Sequence, residues 1–232
     1  MKKRGKRYHE LVKLFNKKLK YTSKEAVELC LQAANAKFDE TIEVHVKLSV
    51  DSRQANQQVR GTLVLPNGNG KNLKILVICK NENVDIAKKS GADLIGSDEY
   101  IEKIQSGWFD FDVLITTPDM MPTISKLGKI LGPKGLMPNP KLGTVTSDIR
   151  KAITEIKLGK IEYRTDKNNI VHCYIGKKSF GSDKILENFE SLMNTIAKAR
   201  PVSIKSQYIR SCFISSTMGL GIAVNENSFM AV

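Results

Sequence analysis

The sequence has few of the residues that build metal centres. It contains only four cysteines and three histidines among 232 residues, and no CxxC pair. A zinc site needs such ligands close together, so the sequence predicts no metal. The cysteines are far apart and mostly lie in apolar runs, which favours buried thiols in a reducing compartment.

Motifs that bind nucleotides or carry catalytic nucleophiles are also absent. None of the patterns GxxxxGK, GxGxxG, GxSxG and HExxH occurs, although the corresponding chemistry depends on their spacing. Asp110, Asp112 and Asp119 are close in sequence, but acids at strand ends are more often solvated or capping than catalytic. We therefore expect neither an enzyme nor a cofactor, and an α/β enzyme is the weaker hypothesis.

Apolar runs that could cross a membrane are missing as well. The longest uncharged stretch, residues 211–224, is too short and too rich in Ser, Thr and Gly. Lysines interrupt the segment behind the basic residues 1–7, so this start is not typical of a signal peptide. We expect no membrane partner and a protein that stays in the cytoplasm.

What the sequence has in excess is positive charge. Lys and Arg number 37 against 24 Asp and Glu, which gives a formal net charge of +13. The hydrophobic fraction of 41% is that of an ordinary globular protein. Because a strong positive field attracts polyanions, nucleic acid is the favoured partner.

The hydrophobic spacing of the first half changes from helical to alternating and then to continuous. Apolar residues repeat at helical spacing over residues 8–19, and a second helix follows the capping-box pair Thr22 and Glu25. Residues 41–50 alternate as in a half-buried strand. The continuous apolar run 73–79 begins an alternation of strands and short helices, which is typical of a parallel α/β unit.

Antiparallel features return in the last third of the chain. The turn at residues 166–169 lies between two strand-like segments and predicts a hairpin. A helix with Ile185 and Phe189 on its apolar face follows. A strand near residues 207–214 is predicted to end the fold.

These changes of pattern predict an α/β protein with two domains. Residues 1–66 and 161–232 form a discontinuous α/β domain with a mainly antiparallel sheet, and residues 67–160 form an inserted Rossmann-like three-layer α/β domain. The outer segments carry net charge +10 and the insert +3. Most of the positive field therefore belongs to the discontinuous domain. The residues expected at a hinge between the domains are Pro66, Gly68, Gly70 and Gly159.

One segment of the insert, residues 126–141, has an unusual composition. It holds three of the seven prolines, three of the sixteen glycines and four lysines. Proline stiffens such a loop, glycine can expose backbone N–H groups, and lysine supplies charge for a phosphate. On composition alone, an RNA contact and a solvated loop at a domain edge are equally good interpretations.

Four separated motifs, in the right order, resemble the large-subunit ribosomal protein L-one family. They are KFDET at 37–41, NQQVRGT at 56–62, the segment 126–141, and SSTMG at 215–219. The resemblance implies the same two-domain architecture and a structural, non-enzymatic protein. It also implies binding to large-subunit ribosomal RNA in the mobile stalk near the tRNA exit site, and assistance in releasing deacylated tRNA. Some members repress translation of their own messenger RNA.

The resemblance further implies which residues contact RNA. Hydroxyls and glycine N–H groups can bind riboses and phosphates, and an exposed Phe or Met can cover a base or sugar. Without the resemblance, Phe38 and Met218 would be assigned to the core. The implied main contacts are Glu28, Lys37, Phe38, Thr41, Ser211, Thr217, Met218 and Gly219. The implied secondary contacts are Lys6, Arg7, Lys129, Lys134 and Lys141. The basic start, which includes Lys2, Lys3 and Arg4, is interpreted as a diffuse electrostatic arm.

Three functions stay open at this point: a ribosomal RNA-binding component with autoregulation, a general nucleic-acid chaperone, and an α/β enzyme. The first implies large-subunit ribosomal RNA, exit-site tRNA and the protein's own messenger RNA as partners, and a monomer when free of the ribosome. The sequence leaves open whether that ribosome is cytoplasmic or organellar.

Overall fold

The computed structural model describes residues 5–51, 53–80, 84–204 and 207–226. The chain forms two compact units, Met1–Gly70 with Lys160–Val232 and Lys71–Gly159. We call the first the outer unit and the second the inner unit. Each has its own hydrophobic core.

Helices and strands alternate along much of the chain. In chain order the helices are α1 (Lys6–Leu14), α2 (Ser23–Ala33), α3 (Val84–Lys89), α4 (Asp98–Gln105), α5 (Met121–Ser125), α6 (Gly128–Leu131), α7 (Ile149–Lys157) and α8 (Ser182–Lys198). The strands are β1 (Thr41–Leu48), β2 (Arg60–Val64), β3 (Ile75–Ile78), β4 (Leu94–Gly96), β5 (Val113–Thr116), β6 (Lys160–Arg164), β7 (Ile170–Lys177), β8 (Ile209–Ser216) and β9 (Ile222–Val224).

The sequence pattern predicts α2 correctly but predicts too long a helix for α1. The capping box of α2 is confirmed, because Thr22 and Glu25 each satisfy a backbone N–H of the other. The longer helix expected over residues 8–19 is wrong, since α1 ends at Leu14 and Leu19 is exposed. The cause is Asn16, whose side chain accepts from the Lys18 N–H at 3.0 Å and starts a turn instead.

A four-stranded antiparallel sheet, in the order β7-β1-β8-β9, forms the centre of the outer unit. The alternation in β1 is confirmed: Ile42, Val44, Val46 and Leu48 are buried in one core with residues of α2 and α8. The intervening side chains lie on the opposite face of β1 and are partly or fully exposed. The sheet therefore has one covered and one open face along this strand, as antiparallel sheets commonly do.

The predicted hairpin is correct for its turn and for the positions of its two strands, but the strands pair with each other at only one bridge. Asn169 has a positive φ of 63°, and the Asp166 N–H donates to the Ile170 carbonyl at 2.9 Å. Beyond one bridge between Thr165 and Val171, the two strands belong to different sheets. β6 pairs with β2 and β7 pairs with β1 over longer ladders, so each strand has its main partner outside the hairpin.

The inner unit contains a parallel sheet in the order β4-β3-β5. Successive residues of β3 face opposite sides: Ile75 and Val77 pack with residues of α3 and α7, whereas Leu76 and Ile78 pack with residues of α4, α5 and α6. Helices thus cover both faces, which explains the continuous apolar run. The predicted fold class, antiparallel α/β with an inserted three-layer α/β unit, is confirmed.

The four cysteines behave as apolar residues, as predicted. All are buried and free of disulfide bonds. Burial raises the pKa of Cys30, Cys173 and Cys212 to about 12, so these thiols stay protonated at neutral pH. Within the described ranges, none of the helices has the length and apolar character needed to cross a membrane.

A buried amide connects α8 to the loop after β2. Asn188 is 0% exposed, donates to the carbonyls of Gly68 (3.0 Å) and Ile175 (2.7 Å), and accepts from the Asn67 N–H at 3.0 Å. We expect Asn188→Leu to lower the free energy of unfolding by about 1–3 kcal/mol, because it leaves these backbone groups without a partner. Urea unfolding measures this, and Asn194→Leu on the exposed side of α8 is the matched control. Equal losses in both variants would contradict the prediction.

Candidate RNA-binding surface

Two loops of the outer unit meet where β1 begins and β8 ends. They are residues 34–40, between α2 and β1, and residues 217–221, between β8 and β9. The Thr41 N–H donates to Thr217 Oγ1 at 3.0 Å, and the Thr41 carbonyl accepts from the Thr217 N–H at 3.0 Å and from its hydroxyl at 3.2 Å. These three hydrogen bonds hold the tip of one loop against the end of the other.

A buried carboxylate holds the two loops from below. Glu40 is 0% exposed, and its oxygens accept from the N–H groups of Ala36 (2.7 Å) and Met218 (3.0 Å) and from Arg7 Nη2 (3.3 Å). Burial opposes ionisation, but these N–H donors and the Arg7 charge together lower the pKa of Glu40 below its ordinary value. An ionised Glu40 therefore joins α1 to both loops.

Sequence reasoning did not identify Glu40 as a site residue. The sequence nevertheless indicates that Glu40 is buried. It lies two residues before Ile42 and four before Val44, at the same alternate positions that face the core in β1. A carboxylate at an inward position must find buried donors. Which donors it finds depends on a loop 178 residues away in sequence.

Large apolar side chains are exposed on these hydrogen-bonded loops. Phe38 is 53% exposed and Met218 is 56% exposed. Lys37 and Thr217 are exposed beside them in the two loops. The assignment of Phe38 and Met218 to the core, which composition alone would favour, is therefore incorrect, and both side chains can reach a ligand.

A side chain at Gly219 would meet the Ser216 hydroxyl. Its N–H donates to the Ser216 carbonyl at 3.0 Å, and a Cβ at this position would lie 2.4 Å from Ser216 Oγ. At Gly221 the nearest atom to such a Cβ, in the Phe213 ring, is 3.7 Å away. A side chain at position 219 would therefore have to displace the buried Ser216 hydroxyl, whereas one at position 221 would make an ordinary contact.

The remaining predicted contacts of the outer unit lie on β8, α2 and α1. Ser211 is partly exposed on β8, six residues from Thr217, and Glu28 and Lys6 are exposed on α2 and α1. Arg7 is part of the network through Glu40. The residues that the fold brings together are Arg7, Lys37, Phe38, Thr41, Thr217, Met218 and Gly219. Lys2, Lys3 and Arg4 lie outside the described residues.

In the inner unit, the segment 126–141 is more ordered than its composition predicts. Gly132 and Gly135 donate their N–H groups to carbonyls within the segment, so these two N–H groups already have acceptors and are not free for a phosphate. The predicted contacts Lys129, Lys134 and Lys141 are exposed. Lys134 Nζ lies 4.3 Å from the centroid of the Phe109 ring, which restrains it.

The comparison with known families agrees with the resemblance seen in the motifs. Residues 30–220 match the family model of the ribosomal protein L1p/L10e family. The match covers more than half of the chain, and it includes the whole inner unit, β1, β8 and the loop tip from Thr217 to Leu220. Glu28, Lys6 and Arg7 precede it. The chain therefore belongs to the ribosomal protein L1p/L10e family and is a structural, ribosomal RNA-binding protein of the large ribosomal subunit.

Proposed function

We propose that the outer unit binds large-subunit ribosomal RNA through Lys37, Phe38, Thr41, Thr217, Met218 and Gly219, which we call the paired-loop surface. The observation that supports this most strongly is the exposure of Phe38 and Met218 on loops held by a buried carboxylate. A structure that is rigid before binding loses little conformational entropy when RNA is bound.

The chemistry of the paired-loop surface suits a folded RNA. Lys37 supplies charge for a phosphate, the Thr217 hydroxyl can exchange its intramolecular bonds for a ribose, and Phe38 and Met218 can cover a sugar or base. Glu28 would accept from ribose hydroxyls, and Ser211 would contact the same RNA further along β8. We assign Lys6 and Arg7, and in the inner unit Lys129, Lys134 and Lys141, to secondary contacts with phosphates.

The cellular role that we propose follows the family. The protein would bind the mobile stalk of a cytoplasmic ribosome near the tRNA exit site, assist release of deacylated tRNA, and repress translation of its own messenger RNA through a related hairpin. Outside the ribosome it would be a monomer. Crosslinking in the native cell, followed by sequencing of the attached RNA, tests these partners together. Recovery of many RNAs in equal amounts would favour a general chaperone instead.

Gly219→Ala tests the paired-loop surface most directly. We expect it to weaken binding to large-subunit ribosomal RNA by about tenfold, because the new Cβ must displace the buried Ser216 hydroxyl, which lies beside the turn that carries Met218. Overpacking of this kind costs about 1–3 kcal/mol. Gly221→Ala is the matched control and is expected to bind as the wild type does. Filter binding at fixed salt measures both. Unchanged affinity in Gly219→Ala, with the turn shown to be displaced, would contradict the proposal.

We also propose that the crossings between the units act as a hinge. Pro66 and Gly68 belong to a loop that Asn188 anchors to the outer unit, so rotation is left to Gly70 and Gly159, which have positive φ values of 70° and 96°. Energy transfer from Trp108 to a dye on the outer unit measures the movement. A distance that is the same with and without RNA would count against it.

A further inference from the structure

Three of the predicted RNA contacts lie at the two ends of the paired strands β1 and β8. Thr41 and Thr217 meet where β1 begins and β8 ends, and Ser211 is opposite Lys47 near the other end. At about 3.3 Å per residue, the six residues from Ser211 to Thr217 span about 20 Å. An RNA that touches both Ser211 and Thr217 must therefore pass over the side chains between them.

The side chains between these ends lie on the open face of the sheet. The register places Phe213 opposite His45, and Ser215 opposite Glu43. Phe213 is 39% exposed in the middle of a strand, and Lys47 is exposed beside it. An exposed aromatic ring flanked by hydroxyls and a cation is the arrangement with which open antiparallel sheets bind RNA bases.

Two histidines from neighbouring strands touch on the same face. His45 Nδ1 and His172 Nδ1 are 2.9 Å apart, and His45 Nε2 is 3.2 Å from Ser215 Oγ. At this distance one Nδ1 must carry a hydrogen and the other must not. The pair therefore holds together when neutral or with one additional proton, and it separates when both rings are charged.

The charged groups around the pair are few. Glu43 Oε2 lies 3.9 Å from His45 Nε2, and Asp166 Oδ2 lies 3.6 Å from His172 Nε2. β1 also carries Lys47 on this face, and β7 carries Tyr174 opposite Glu43; the facing residues of β8, Phe213 and Ser215, are uncharged. Burial, and then the neighbouring His172, lower the pKa of His45 below its ordinary value, while Glu43 acts in the opposite direction. The lowered pKa favours the neutral form of His45 in the free protein.

We infer that this face of β1, β7 and β8 is a second RNA-binding surface, on which a base stacks on Phe213 and a phosphate binds the His45–His172 pair. The inference rests on the proposed function and extends it beyond the paired-loop surface. A phosphate stabilises an imidazolium, so binding takes up a proton and tightens as the pH falls below neutral.

The first test removes the aromatic ring from the full-length protein. Phe213→Thr keeps a β-branched residue in the strand, and the probe is protein-free large-subunit ribosomal RNA at pH 7.5 and fixed salt. We expect binding at least about fivefold weaker, because stacking on an aromatic side chain contributes about 1–3 kcal/mol per base. Val202→Thr, which changes another exposed apolar residue, is expected to bind as the wild type does. Wild-type affinity in Phe213→Thr would overturn the stacking role.

The second test is the pH dependence of the same binding. We expect wild-type affinity to increase about three- to tenfold from pH 7.5 to 6.0, and His172→Gln to lose most of this increase, because uptake of one proton changes affinity by at most about tenfold per pH unit. His9→Gln, which changes the exposed histidine of α1, is the control and should keep it. A pH dependence that is the same in all three proteins would overturn the role of the pair. Wild-type protein that binds ribosomal RNA no better than unrelated RNA would overturn the proposed function itself.

Discussion

Replacement of Glu40 by leucine is expected to lower the free energy of unfolding by about 2–4 kcal/mol and to weaken RNA binding by more than tenfold. The N–H groups of Ala36 and Met218 lose their buried acceptor, and each unpaired group costs about 1–3 kcal/mol. The Arg7 side chain is 36% exposed, so its guanidinium can turn to water and contributes little to the loss. Urea unfolding and filter binding measure the two effects.

Glu40→Gln separates the hydrogen bonds from the charge. Its carbonyl oxygen still accepts one N–H, but its amide NH₂ faces the other, so we expect a smaller loss than in Glu40→Leu. Glu190→Gln, at an exposed position of α8, is the matched control. If Glu40→Leu is as stable as the control and binds RNA equally well, Glu40 does not hold the two loops.

The lowered pKa of Glu40 also predicts a pH dependence of stability. Because the folded protein favours the carboxylate, the stabilisation is present above the unfolded glutamate pKa of about 4.3 and is lost as pH falls through the lower folded value. The wild type should therefore lose more stability than Glu40→Gln in that acidic range. Parallel curves for the two proteins would show that another carboxylate is responsible.

Salt is expected to have the largest effect on binding. If the protein makes about 6–10 phosphate contacts, its affinity falls about 10³–10⁵-fold between about 50 and 200 mM salt. The outer segments carry +10 of the +13 charge, so most of this dependence should arise there. Two double variants, one lacking two positive charges in the outer unit and one lacking two in the inner unit, show how much each unit contributes to this salt dependence.

The matched pair of double variants is Lys6→Gln with Lys37→Gln in the outer unit, and Lys129→Gln with Lys141→Gln in the inner unit. All four lysines are exposed, so stability should change little. We expect the outer pair to reduce the slope of log affinity against log salt by about two and the affinity by about tenfold or more, since each phosphate contact contributes about one to the slope. Equal effects of the two pairs would show that both units contribute alike to RNA affinity.

Much of the fold follows from local pattern. The alternation in β1, the capping box of α2 and the continuous apolar run of β3 each predict an element that the structure contains. These signals are strong because burial on one face, or on both, imposes a period on the residues. The pattern failed at α1, where Asn16 forms a turn that competes with the helix.

The partners of the strands could not be predicted from local pattern. β6 and β7 are joined by a good turn, yet each pairs with a distant strand, and β9 was not predicted at all. Strands pair so that as many backbone N–H and C=O groups as possible form hydrogen bonds. Which pairing achieves this depends on all the strands of the unit and not on local sequence.

By itself, the sequence determined the family, the fold class, the excess of positive charge and the identity of the residues expected to contact RNA, because motifs, periods and charges are local. Only the tertiary structure decided that Phe38 and Met218 are exposed, that Glu40 is the buried acceptor beneath them, and that His45 touches His172. Each of these facts joins residues that are far apart in the chain. The free energy of a hydrogen bond or an exposed ring depends on its surroundings, and those surroundings exist only once the chain has folded.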